Sequence, residues 1–101
     1  MQTLVSIIIP VRDRQDLLEK CLQKIKEQTY PLIEIVVVDG NSQDNSFEVA
    51  KKYTDKVFIF SQPGDHRCAQ RNLAVEKASG EYILSIDSDM ELSPEVVGSC
   101  V

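Results

Sequence analysis

Four short apolar runs, rich in β-branched residues, alternate with stretches of helical periodicity, and this alternation limits the possible folds more than any other feature. Residues 4–9 and 33–38 are nearly continuous in Leu, Ile and Val, as strands buried on both faces are. Residues 56–60 form a third, shorter run, and Tyr82 to Ile86 a fourth that also reads as buried. Pro10 is expected to end the first strand. From Asp13, a plain N-cap, Leu17, Leu18, Cys21, Leu22 and Ile25 recur at helical spacing until Tyr30-Pro31. Ser42 or Asn45 caps a second helix running to about Tyr53. Gln62 to Asp65 is a loop, and a third helix follows with Ala69, Leu73, Val75 and Ala78 as its buried residues. Gly80 fits that helix's C′ position, and Ser93-Pro94-Glu95 opens a fourth helix. The order β-α-β-α-β-α-β-α with short links predicts one domain, residues 1–101. It would be a Rossmann-like, three-layer α/β/α unit with a mostly parallel sheet and right-handed crossovers.

Such sheets bind ligands beyond the carboxyl ends of their strands. The polar residues of this chain gather there: Arg12 after the first strand, Asp39 after the second, Asp87 and Asp89 after the fourth. Asp87-Ser88-Asp89 places two carboxylates one residue apart, where they can share a hard cation, Mg²⁺ or Mn²⁺, that bridges to phosphates. Acidic pairs are also common in solvated loops. Asp39 has two readings: a turn residue that bonds local backbone, or an acceptor for a ring N–H of a nucleotide base. Arg67 and Arg71, one turn apart, either reach a diphosphate or stay solvated. Asn72 is expected to be buried and to find partners in the loop after the fourth strand.

Composition removes several classes. A net charge of -5 with no Lys/Arg cluster argues against a nucleic-acid partner. Cys21, Cys68 and Cys100 are widely spaced and odd in number, with no Cys-x-x-Cys pair, which fits a reduced, cytoplasmic setting. The N-terminus enters a strand after three residues, against a secretory leader. No apolar stretch approaches the ~20 residues that cross a bilayer, so membrane association is expected only through segments not in this sequence. A single histidine, His66, gives no support to Ser-His-Asp hydrolysis. Pro10-Val11-Arg12-Asp13 stands where a dinucleotide fold needs Gly-x-Gly-x-x-Gly, and where a nucleotidyltransferase-like site would carry a Gly-rich basic loop.

Five segments in order carry a family resemblance: Val5-Ser6-Ile7-Ile8-Ile9-Pro10, Gln28-Thr29-Tyr30-Pro31, Glu34 through Gly40, Arg71-Asn72, and Ser79-Gly80-Glu81-Tyr82 through Asp89. Together they resemble the N-terminal, donor-binding half of a family 2 glycosyltransferase of GT-A fold, over almost the whole chain. The resemblance implies metal-dependent, inverting transfer from a nucleotide-diphosphate sugar, a UDP-sugar favoured. It implies that Pro10, Val11 and Arg12 line the nucleoside pocket, that Asp39 accepts from the base, and that Arg71 lies near the phosphates. It also implies Asp87 and Asp89 as the metal motif, with Asp89 as the direct ligand of Mn²⁺ or Mg²⁺ and Asp87 nearer the ribose and the metal's water shell. Asp39-Gly40-Asn41-Ser42 departs from the usual Asp-Asp-Gly-Ser, and Gln70 replaces a frequent alanine. The acceptor half and the general base are expected to be missing from this chain, so that alone it transfers little sugar. The apolar 82–86 edge would then lie open and favour a homo-oligomer. The alternative is a nucleotide-binding or interaction module that keeps the fold without turnover.

Overall fold

Seven consecutive buried residues make β1 (Val5–Val11) the spine of the sheet. The structure, a computed structural model, describes residues 3–60 and 67–100, and the side chains of all of these except 67, 99 and 100. The strands β2 (Ile33–Asp39), β3 (Val57–Ile59) and β4 (Tyr82–Ser85) complete a parallel sheet of order β3-β2-β1-β4. Side chains alternate across it. Val5, Ile7, Ile9 and Val11 point to a large core shared with α1 (Gln15–Lys26), α2 (Ser46–Lys51) and α4 (Val96–Cys100). Ile8, Val36 and Val38 point the other way, to Ala74 and Leu73 of α3 (Arg67–Lys77). The result is the expected three layers, with the order of elements read from the sequence.

Two crossovers step from β1 to β2 to β3, and the third returns past β1 to place β4 on its far side. Strand order therefore reverses between β1 and β4. The crevice beyond their carboxyl ends is where such sheets take ligands.

Several local expectations change. Pro10 lies inside β1, paired with Val38. Even-numbered β1 residues face β4, as the Ile86 N–H to Ile8 carbonyl bond shows. The missing N–H of Pro10 thus falls where the β4 ladder has already stopped. The helix α1 starts two residues after Asp13, which caps nothing in it, and Leu17 is exposed while Leu18, Cys21, Leu22 and Ile25 are buried. Neither Ser42 nor Asn45 caps α2 through its side chain; Asp44 instead accepts from the Ser46 N–H and hydroxyl, 2.9 and 2.6 Å, and the helix stops at Lys51. On α3, Val75 and Asn72 are exposed, and Gln70 and Ala74 form the buried stripe. The loop at residues 62–65 and His66 lie outside the described residues.

The fourth run is an edge strand rather than a buried one: Tyr82 is 52% exposed and Ile83 44%. Its entry is fixed at Gly80, which lies beyond the end of α3 rather than at C′. A Cβ there would stand 2.6 Å from Ser6 Oγ and 2.8 Å from the Leu4 carbonyl, so glycine is required for close approach to β1. The Gly80 N–H donates to Ser6 Oγ, which donates to Glu34 Oε1, each at 2.8 Å. Glu34 also accepts from the Ser79 N–H and, at 2.7 Å, from Lys56 Nζ. This network clamps β2, β1 and the β4 entry at the end of the sheet away from the ligand crevice.

Burial alone would raise the Glu34 pKa, but the bonds from Lys56, Ser79 and Ser6 together hold it below the ordinary carboxylate value. A carboxyl with a lowered folded pKa contributes stability above its unfolded pKa, and that contribution is lost as pH falls through the folded value. Denaturant titrations across the acid range should show wild type losing stability in that window. Glu34→Gln should be less stable at neutral pH and flatter there.

Candidate functional site

The carboxyl ends of β1 and β2 finish in register, Val11 opposite Asp39, and the Gly40 N–H extends the ladder to the Val11 carbonyl at 2.8 Å. Asp39 is 1% exposed. Its Oδ1 accepts from the Ser42 N–H at 2.9 Å and the Ser42 hydroxyl at 2.6 Å. The local-turn reading of Asp39 is therefore realised, and it fixes the carboxylate's orientation. Asn41 turns the chain at φ 64°, a left-handed conformation Asn tolerates.

The same Ser42 oxygen accepts from the Asp13 N–H at 2.8 Å, and Asp13 Oδ1 accepts from the Gln43 N–H at 2.7 Å. Asp13 itself sits at φ 53°. Gln15 N–H donates to Asp44 Oδ2, and Asn45 N–H returns the bond to Gln15 Oε1. These reciprocal bonds weld the loop carrying Arg12 to the loop carrying Asp39. Arg12 is exposed at the rim. A shallow cleft opens beside it, walled by residues 12–17 and Asp44 and by none of Arg71, Asp87 or Asp89.

Across the crevice, Ile86 is buried and anchors the acidic turn. The Met90 N–H closes that turn onto the Asp87 carbonyl at 3.1 Å, with Ser88 buried and the Asp87 and Asp89 side chains facing out. Arg71 Nε donates to Ser85 Oγ at 2.8 Å, and its Nη2 stands 4.0 Å from Asp87 Oδ1. That pair is exposed and contributes little to stability. It does aim the guanidinium at the acidic loop. Among the described residues, no group of three or more His, Cys, Asp or Glu side chains comes together. The acidic turn presents Asp87 and Asp89 to solvent as a pair. Asn72, exposed, is not part of it.

Cys21 of α1 backs this turn: its thiol donates to the Asp87 carbonyl at 3.9 Å. Burial, then the negative charges of Asp89 and Glu91, push its pKa up to about 12. Three residues carry weight that residue types alone did not announce: Cys21, Ser85 under Arg71, and Ser42 under Asp39. Only Ser42, three places after an aspartate at a strand end, left a readable signal, that of a side-chain-bonded turn. The Gln28-Thr29-Tyr30 segment is structural. Gln28 Nε2 donates to the Ser93 carbonyl at 2.6 Å and its Oε1 accepts from the Val97 N–H, while the Thr29 N–H donates to the Pro94 carbonyl. The Tyr30 hydroxyl bonds both backbone groups of Thr3.

The family model for Glycosyl transferase family 2 matches residues 6–101. Glycosyltransferase GlyG of Streptococcus pneumoniae is 36% identical over 93 residues, covering 88% of this chain and 31% of its own length. The crystal structure of S. aureus TarS 1-349 superposes with a TM-score of 0.89 at 27% identity, covering 96% of this chain and 31% of that one. TarS structures in complex with UDP and with UDP-GlcNAc superpose at 0.85 and 0.81. Mannosyltransferase PcManGT from Pyrobaculum calidifontis, in complex with GDP-Man and Mn²⁺, superposes at 0.75 with 26% identity over 88% of this chain and 28% of its own. This chain thus spans under a third of the length of these relatives. No helix among the described residues is long and apolar enough to cross a membrane.

With its thiol buried and its pKa near 12, Cys21 should resist alkylation in the native state. In a Cys68→Ser, Cys100→Ser variant, iodoacetamide at pH 8 should leave Cys21 unmodified by mass spectrometry until denaturant is added.

Proposed function

This chain belongs to Glycosyl transferase family 2, and from that membership we propose that it forms the donor-binding part of a glycosyltransferase that takes a nucleotide-diphosphate sugar, a UDP-sugar first. The observation that carries this reading is the convergence of Asp39, Arg71, Asp87 and Asp89 on the carboxyl edge of the sheet, around the point where strand order reverses. The UDP and UDP-GlcNAc complexes of TarS support the donor class.

In this assignment Pro10, Val11 and Arg12 line the nucleoside. Asp39, its orientation fixed by Ser42, accepts from the base. Arg71, braced by Ser85, meets the diphosphate, and Asp87 reaches toward the ribose. Electrostatics then call for a cation. Asp87, Asp89 and Glu91 crowd one loop, with Arg71 facing Asp87, and a diphosphate would add more negative charge. Asp89, with Asp87 nearer the water shell, offers only hard carboxylate oxygens that face solvent, a donor set suited to Mg²⁺ or Mn²⁺ with its remaining ligands from water and phosphate. PcManGT, with Mn²⁺ beside GDP-Man, supports the same choice. When bound, the cation would offset charge on the diphosphate leaving group during inverting transfer. A general base must lie within hydrogen-bond reach of the acceptor hydroxyl, and no residue of this chain is assigned that role.

Calorimetric titration of UDP should show binding in Mn²⁺ that EDTA removes and Asp89→Ala weakens about tenfold or more. Equal binding with and without metal would favour a module without turnover. No binding by a folded sample would overturn the donor-site assignment.

A further inference from the structure

The side chain of Gln70 is polar and 5% exposed, one turn before the buried Ala74 on α3. Burying an amide is costly unless its hydrogen bonds are made. Here Nε2 donates to the Val38 carbonyl at 3.1 Å and the Val11 carbonyl at 3.3 Å. An amide NH₂ has two hydrogens, and two carbonyls use both. Those carbonyls belong to neighbouring strands, at the last residue of β1 and the last but one of β2. The next residues along the chain are Arg12 and Asp39. The Val11 carbonyl also receives the Gly40 N–H, so one acceptor holds both the side-chain and the main-chain link. Gly40 leaves the space that makes this possible: a Cβ there would stand 3.0 Å from Gln70 Nε2 and 3.3 Å from its Cδ.

We propose that Gln70 is a positioning residue for the nucleoside pocket. From beneath, its amide ties the ends of β1 and β2 together and so sets the separation between the Pro10–Arg12 segment and Asp39. Gly40, with no Cβ, leaves the amide the room it occupies. The inference rests on the donor-site reading for its ligand, but the tie itself is a property of this chain alone. Gln70 touches backbone rather than substrate, and its effect falls on the nucleoside end of the donor, not on the phosphates held by Arg71 and the acidic loop.

The experiment pairs amide hydrogen exchange with titration of UDP and UMP in Mn²⁺. In Gln70→Ala, exchange at the Gly40 N–H should accelerate at least about tenfold while that at Gly80, at the opposite end of the sheet, stays unchanged. UDP and UMP should weaken by the same factor, about fivefold to thirtyfold, from loss of one or two buried bonds. Gly40→Ala should weaken both ligands in the wild-type background and add little in Gln70→Ala, where the crowding is gone. Gln70→Glu keeps the shape and guards against a misfolded alanine variant. Above neutrality its carboxylate opposes two carbonyl oxygens, so binding relative to wild type should be poor and should recover as pH falls and one donor returns. Unchanged Gly40 exchange in Gln70→Ala, a loss confined to UDP, or additive effects of the two alanines would each overturn the proposal. Absence of nucleotide binding by wild type would sink the donor-site reading instead, and Gly40 exchange would then decide the tie by itself.

Discussion

The arrangement depends on the burial of β1 on both faces. A central parallel strand has no solvent side, so its neighbours must match it residue for residue with apolar side chains above and below. Every residue of β1 is buried, and β2 matches it from Ile35 onward. Where that double burial ends, at Val11 and Asp39, the backbone still needs partners and apolar packing no longer supplies them. The candidate site begins there. Its hydrogen bonds continue the ladder with Gly40, Ser42 and Gln70 in place of a further strand pair.

Order and charge are divided unequally between the two sides of the crevice. On the β1–β2 side, the loops hold one another through side-chain-to-backbone bonds that leave Asp39 a single orientation. On the β4 side, Asp87 and Asp89 are exposed, and Arg71 stands 4.0 Å from Asp87. The first side is built for shape and the second for charge. A nucleoside with a diphosphate tail has the same division, an aromatic base at one end and an anion at the other.

The central strands were legible because nearly continuous runs of Val and Ile leave few alternatives, and α1 because its apolar spacing repeats over two full turns. Places where the sequence misled share a cause: the deciding partner lies far along the chain. Asp13 looks like a cap, but Ser42 and Gln43, about thirty residues on, claim it. Asn72 looked buried because α3 packs through small residues, Ala74 and Ala78, which mark its phase weakly. Pro10 looked like a strand end because nothing local says which side its missing N–H faces. Gln70 was visible as an oddity, but two carbonyls on two other strands give it meaning. The acidic pair after the fourth run was legible as a motif, while its brace by Cys21 and the aim of Arg71 through Ser85 were not.

The strand order has a consequence for how the domain is assembled in time. β1, β2 and β3 are added in sequence to one growing edge, each closing a short loop, whereas β4 must cross the whole sheet to reach the opposite side of β1. Val5 pairs with Ile33 on one side and with Tyr82 on the other, and the pairing of longer sequence separation costs more entropy to close. The acidic turn arrives with β4, and so does the crevice. Without that strand, the loops at the ends of β1 and β2 would face no acidic turn. A donor of the class proposed above, touching both sides of the crevice, would therefore add its binding energy to the hold on the last strand, and that edge would be where bound ligand most reduces local opening.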